Sequence, residues 1–206
     1  MNLSYTGLVS PELIKHTQNT IDDNETLSFY IDNIIGWSTL QNEINSSSKV
    51  TIYNIGHNQI EMQFIQDIFI RLDKIIDIDF VEQSNNDGSM LDIYHVNYSS
   101  GFDTNTIGQA ISQRNSAGSW WDIAWRNHPI IIGNNNDVNY NTIIHEIGHS
   151  LGLKHPFDDP FDQSWNSKDT VMSYNKGPDG WNTWFSKVDL DALISIWGRE
   201  NDEGTI

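Results

Sequence analysis

Residues 145–155 read His145-Glu146-Ile147-Gly148-His149-Ser150-Leu151-Gly152-Leu153-Lys154-His155, and this stretch restricts the local fold more than any other. Side chains four apart share one face of a helix, so His145 and His149 present two imidazoles to one point. Glu146 stands one step round, about 100° away, which makes it a poor first ligand and a close neighbour. His155 cannot join the pair on a continuing helix. Gly152 removes that obstacle, because glycine accepts the left-handed conformation that ends a helix and turns the chain. A helix over 141–151 that stops at Gly152 therefore lets three histidines meet. Neutral imidazole suits Zn²⁺, and three protein ligands leave a fourth position for water, the arrangement of a catalytic site. Glu146 then lies close enough to take a proton from that water.

The rest of the chain is long enough to surround such a site. At 206 residues it can bury a sizeable core without staples, and 37% hydrophobic content excludes a disordered chain. The absence of cysteine removes disulfides, thiolate metal sites and a cysteine nucleophile. Eleven basic against 28 acidic residues leave a net charge of −17, a surface that nucleic acid and anionic membranes repel. No apolar run approaches the roughly 20 residues that span a bilayer, so neither nucleic-acid binding nor membrane insertion is expected. The first fifteen residues lack the pattern of an ordinary signal peptide.

Periodicity places the elements. Residues 26–31 alternate as a strand, and 58–76 carry Phe64, Ile65, Ile68, Phe69, Leu72, Ile75 and Ile76 at helical spacing. Short β-rich runs follow at 76–81 and 91–98, with an edge strand at Gly108–Arg114 and a further strand at 129–132. After Gly152 the chain is irregular to Ser186, and a closing helix over Lys187–Trp197 carries Leu190, Leu193, Ile194 and Trp197 on one face. The expected architecture is α+β and a single domain. An upper lobe of about 1–152 holds a twisted, mostly parallel five-stranded sheet and two long helices. A smaller irregular lower lobe of about 153–206 holds the C-terminal helix.

The extended histidine string resembles the metzincin zinc-peptidase signature. Thr170-Val171-Met172-Ser173-Tyr174 resembles the Met-turn that supplies an apolar floor beneath the metal in that family. The Met-Ser-Tyr form, Pro156 after the third histidine and the Ile196-Trp197-Gly198 ending are similar to the serralysins, without their β-roll. The resemblance implies a zinc-dependent endopeptidase that acts on protein or peptide substrates. His145, His149 and His155 would ligate the metal, Glu146 would be the general base, and Met172 would underlie the site. Tyr174 would reach the empty metal and then swing to the oxyanion. Substrate would lie as an added strand antiparallel to the edge at Gly108, Gln109, Ala110 and Ile111. Trp181 and Trp184, with Phe185, are candidates for the wall of the pocket past the cut bond. The resemblance also implies secretion, a monomer and a proteinaceous inhibitor.

Two other readings share these residues: a metzincin-like module that holds peptides without turnover, and a zinc hydrolase of non-protein amides. Asp158, Asp159 and Asp162 form an acidic loop that suits either calcium or plain solvation. His16, His57, His95 and His128 have no motif around them. Trp120, Trp121 and Trp125 are expected to cover the core.

Overall fold

A computed structural model describes residues 3–21, 24–41, 49–128 and 136–201. Four helices and one open mixed sheet make up its α+β architecture. Helix α1 (Pro11–Gln18) precedes three strands, β1 (Thr26–Asp32), β2 (Gly36–Gln41) and β3 (Lys49–Asn54). Helix α2 (Gln59–Leu72) is followed by β4 (Asp79–Glu82), β5 (Leu91–Ser99), β6 (Gly108–Arg114) and β7 (Ser119–Trp125). Helices α3 (Asp137–Ser150) and α4 (Lys187–Trp197) complete the order.

Strand β5 is the hub of the sheet. It pairs in parallel with β1 and β7 and in antiparallel sense with β3. Outward from these, β4 runs parallel to β1, β2 antiparallel to β3, and β6 antiparallel to β7. The expected five-stranded, mostly parallel sheet is therefore corrected: among the described residues there are seven strands, with three parallel and three antiparallel pairings. Strand β7 escapes a periodicity search because Trp121, Asp122, Ile123, Ala124 and Trp125 are all buried, and a doubly covered strand does not alternate. The strand expected at 129–132 lies outside the described residues. Helix α1 does carry a start signal that the periodicity argument passed over: Ser10 accepts the Leu13 N–H, and Pro11 fills the first turn.

One face of the sheet meets the helices. Leu27, Phe29, Ile31, Leu91, Ile93, Trp121, Ile123 and Trp125 pack with Ile65, Ile68, Phe69 and Leu72 of α2 and with Ile143, Ile144 and Ile147 of α3. The same cluster takes in Val171, Met172, Phe185, Ala192 and Leu193, so the core is continuous across residue 152. Trp121 and Trp125 thus lie inside it, as expected. The opposite face is polar, with Asp32, Asp92 and Asp122 beside a small cluster of Leu40, Ile52, Tyr94, Val96 and Ala124. Among the described residues no helix is long and apolar enough to cross a membrane.

Two features carry this frame to the histidines. Helix α3 ends where Leu153 N–H returns to the Gly148 carbonyl at 2.9 Å, with Gly152 at φ +99°. A side chain there would be strained, and its Cβ would come 2.6 Å from Ile14 Cγ1. The segment after the turn is then tied down from the N-terminal region. Val9 and Leu153 form an antiparallel bridge, Ser10 N–H donates to the Gly152 carbonyl at 3.0 Å, and Lys154 N–H donates to the Leu8 carbonyl at 2.7 Å.

Candidate metal centre

The turn at Gly152 brings His155 back onto the face of α3 that carries His145 and His149. Nitrogen atoms of the three imidazoles lie within 4.8 Å of one another, and His145 Nε2 is 3.3 Å from His155 Nε2. The rings of His145 and His149 stand nearly perpendicular, at 85° with centroids 4.7 Å apart. A carbonyl can only accept, so the tautomers of two histidines follow from their partners. His145 Nδ1 donates to the Val171 carbonyl and His149 Nδ1 to the Leu153 carbonyl, each at 2.8 Å. Their Nε2 lone pairs are left for a cation. Backbone acceptors behind ligating imidazoles are the usual support of a metal site.

Electrostatics favour the same state. Burial, followed by the neighbouring imidazoles, holds the His145 pKa well below its usual value, and similar causes bring His149 down to about 4. Burial lowers His155 as well, against the pull of Asp158. All three are therefore neutral near pH 7, the form that binds a metal ion. The group can hold a metal ion, and an all-imidazole donor set fits a borderline-soft dication such as zinc. It is the one convergent group of three metal-ligating side chains among the described residues. Asp158, Asp159 and Asp162 do not form another: Asp158 pairs with Lys154 at 2.7 Å, and the other two accept N–H groups of Phe161 and Ser164 in their own loop.

Glu146 lies beside the histidines and is 5% exposed. Burial pushes its carboxyl up to about 8, while a hydrogen bond from the Ala110 N–H opposes that rise. The partner belongs to β6, which pairs with β7 alone among the described strands and so forms an edge of the sheet. Strand alternation splits the four residues expected to bind substrate. Gly108 and Ala110 stand on the Glu146 side, whereas Ile111 packs against the small cluster on the opposite face. Gln109 is directed away too, its Oε1 lying near Gly101.

The downstream residues arrive by way of the turn at 170–174. Met172 is fully buried, and its Sδ fills the space next to Gly148, 2.8 Å from where a Cβ would stand. Tyr174 is 44% exposed, with its ring centroid 4.9 Å from that of His155 and 5.3 Å from that of His145. Burial, then the Glu146 carboxylate, pushes its phenol up to about 12. Phe161 meets the same ring edge-on at 5.2 Å. Trp184 is engaged elsewhere: it packs on the core beneath the Arg71 guanidinium, 3.3 Å from the ring centroid. Trp181 is partly buried and is not among the rings that contact the histidines or Tyr174.

Asp189 is a supporting residue that the sequence argument missed. Fully buried at the start of α4, it accepts Thr170 O–H at 2.5 Å, Val171 N–H at 3.0 Å and Ser186 N–H at 2.8 Å. The Ser186-x-x-Asp189 spacing is a capping box and could have revealed it. Compared with known proteins, the chain matches no family model and no curated sequence.

Proposed function

We propose that this protein is a zinc-dependent endopeptidase of the metzincin kind, similar in pattern to the serralysins. The observation that carries the reading is the convergence of His145, His149 and His155 beside a buried Glu146, under a sheet edge that no described strand covers. Bound by the three imidazoles, zinc supplies a Lewis acid that acidifies water and polarises a carbonyl.

The chain's own groups do the rest. Apart from the Ala110 N–H, strand β6 offers the outer backbone groups that no described strand pairs to an extended peptide, which adds antiparallel to it and lies across the site. Ionised beside a bound dication, whose charge would offset the burial that raises its pKa, Glu146 receives the proton of the attacking water and passes it to the leaving amine. The Ala110 N–H holds that carboxylate in line. Tyr174 keeps its phenolic proton throughout, since its pKa is raised. Its O–H donates to the oxyanion that develops on the scissile carbonyl. Met172 packs under α3 and keeps the histidine-bearing turn from shifting.

A quenched-fluorescence peptide library, incubated with and without a chelator and then with zinc added back, tests the reading. Cleavage that chelation abolishes and zinc restores is the expected result. Peptide binding without cleavage would replace it with a non-catalytic module. Hydrolysis confined to small amides would replace it with a different hydrolase.

A further inference from the structure

We propose that Gly108 is a positioning residue for Glu146, its missing side chain leaving the volume in which the carboxylate sits. The inference rests on Glu146 acting as the general base. Gly108 is not among the residues with positive φ, so its backbone is one that any residue adopts. It also pairs regularly with Trp125 in the β6–β7 ladder. What demands glycine is space. A Cβ at this position would lie 2.6 Å from Glu146 Oε1, 2.9 Å from Glu146 Cγ and 2.6 Å from Thr142 Cγ2.

The neighbours differ in how they can yield. Strand β6 is pinned by pairing along its whole length from Gly108 to Arg114. Thr142 is held by its own hydroxyl, which donates to the Val138 carbonyl at 2.8 Å and so aims Cγ2 at the strand. The Glu146 carboxylate ends a flexible side chain that lies against Gly108 and is drawn toward the Ala110 N–H two residues further along β6. An added methyl therefore displaces the carboxylate, the most mobile of these neighbours, and also presses on Thr142 Cγ2 at some cost in stability. Gly108 and Ala110 act as a pair, one vacating the volume and the other fixing the oxygen within it.

Gly108→Ala in the full chain tests this. The crystal structure of the variant should show the Glu146 carboxylate moved off the Ala110 N–H, with all three histidines in place. Zinc content should match the parent, and the melting temperature should fall only modestly while the variant stays folded under assay conditions. With a fluorogenic peptide, kcat should fall on the order of 10²-fold, the scale set by misplacing a reacting group by about 1 Å, and KM should change far less. Adding Thr142→Ser removes Cγ2, lets the new methyl lean away from Glu146, and should recover part of the lost kcat. An unmoved carboxylate, a parental kcat, or a loss of activity that follows loss of zinc or of the fold would each overturn the proposal. If the parent chain cleaves no peptide, the endopeptidase reading fails, and the variant's crystal structure alone decides the role of Gly108.

Discussion

Asp189 accepts the backbone N–H of Val171 at 3.0 Å, and through that bond the closing helix bears on the orientation of a candidate metal ligand. The carbonyl of the same Val171 accepts Nδ1–H of His145 at 2.8 Å, so a carboxylate on α4 and an imidazole on α3 are joined by one residue. Replacing Asp189 with Ala leaves several buried donors without partners, at roughly 1–3 kcal/mol each. The variant should melt well below the parent and bind zinc about 10–100-fold more weakly, the usual cost of losing support behind a ligand. Asp189→Asn keeps an acceptor oxygen and should lose less on both measures. Thermal melts and competitive metal titration check the pair.

Glu146→Gln removes the proposed base and leaves every imidazole untouched. Turnover should drop by about 10²–10⁴-fold, the range for general acid–base groups. Zinc content by elemental analysis should stay at the parental level. A variant that turns over at the parental rate would take Glu146 out of the chemistry.

Tyr174→Phe keeps the ring that packs against His155 and Phe161 and removes only the hydroxyl. If the proposed oxyanion donor is lost in this way, kcat should fall by about 10²–10³-fold while KM moves little. A change confined to KM would recast Tyr174 as a substrate contact. Steady-state kinetics on one peptide separate the two outcomes.

On the far face of the sheet, Asp92 and Asp122 stand directly opposite each other on β5 and β7. Burial pushes both up to about 7, with Asp122 adding to the rise at Asp92. In the folded state each therefore holds its proton over a range where the unfolded chain, near 3.8, has released it. The folded protein binds more protons between about pH 4 and 7, so stability falls as pH rises through that window. The slope is about 1.4 kcal/mol per pH unit for each group. Asp122→Asn should flatten this decline. Urea midpoints at pH 5 and pH 8, compared between parent and variant, measure it.

The parts of the fold that announce themselves are those governed by local rules. The closing helix has the expected bounds, β6 is an edge, and α3 stops at Gly152 as the histidine spacing requires, although it begins a turn earlier than 141. The hidden parts depend on partners distant in sequence. Strand β7 is recognisable only once β5 and β6 flank it, and the β2–β3 hairpin is amphipathic only against Val96 and Ala124. The site divides in the same way. His145, His149 and Glu146 lie on one helix and the Gly152 turn follows in the same short string, so helix geometry and one glycine make the meeting of the three histidines legible. Phe161 reaches the centre through a turn whose shape no local pattern foretells, and the capping-box spacing of Asp189 does not disclose the turn at 170–171 that it holds. Trp184, a reasonable wall residue by position, is claimed by Arg71 on another helix.

The bridge between Val9 and Leu153 makes the placement of the third imidazole depend on residues far away in the sequence. Residues 8–10 act as a tether that shortens the reach of the loop leading to His155, so the entropy of placing that ring is settled before any ion arrives. A nick or a fusion that tugged this tether loose would register as weakened metal affinity, far along the polypeptide from the disturbance.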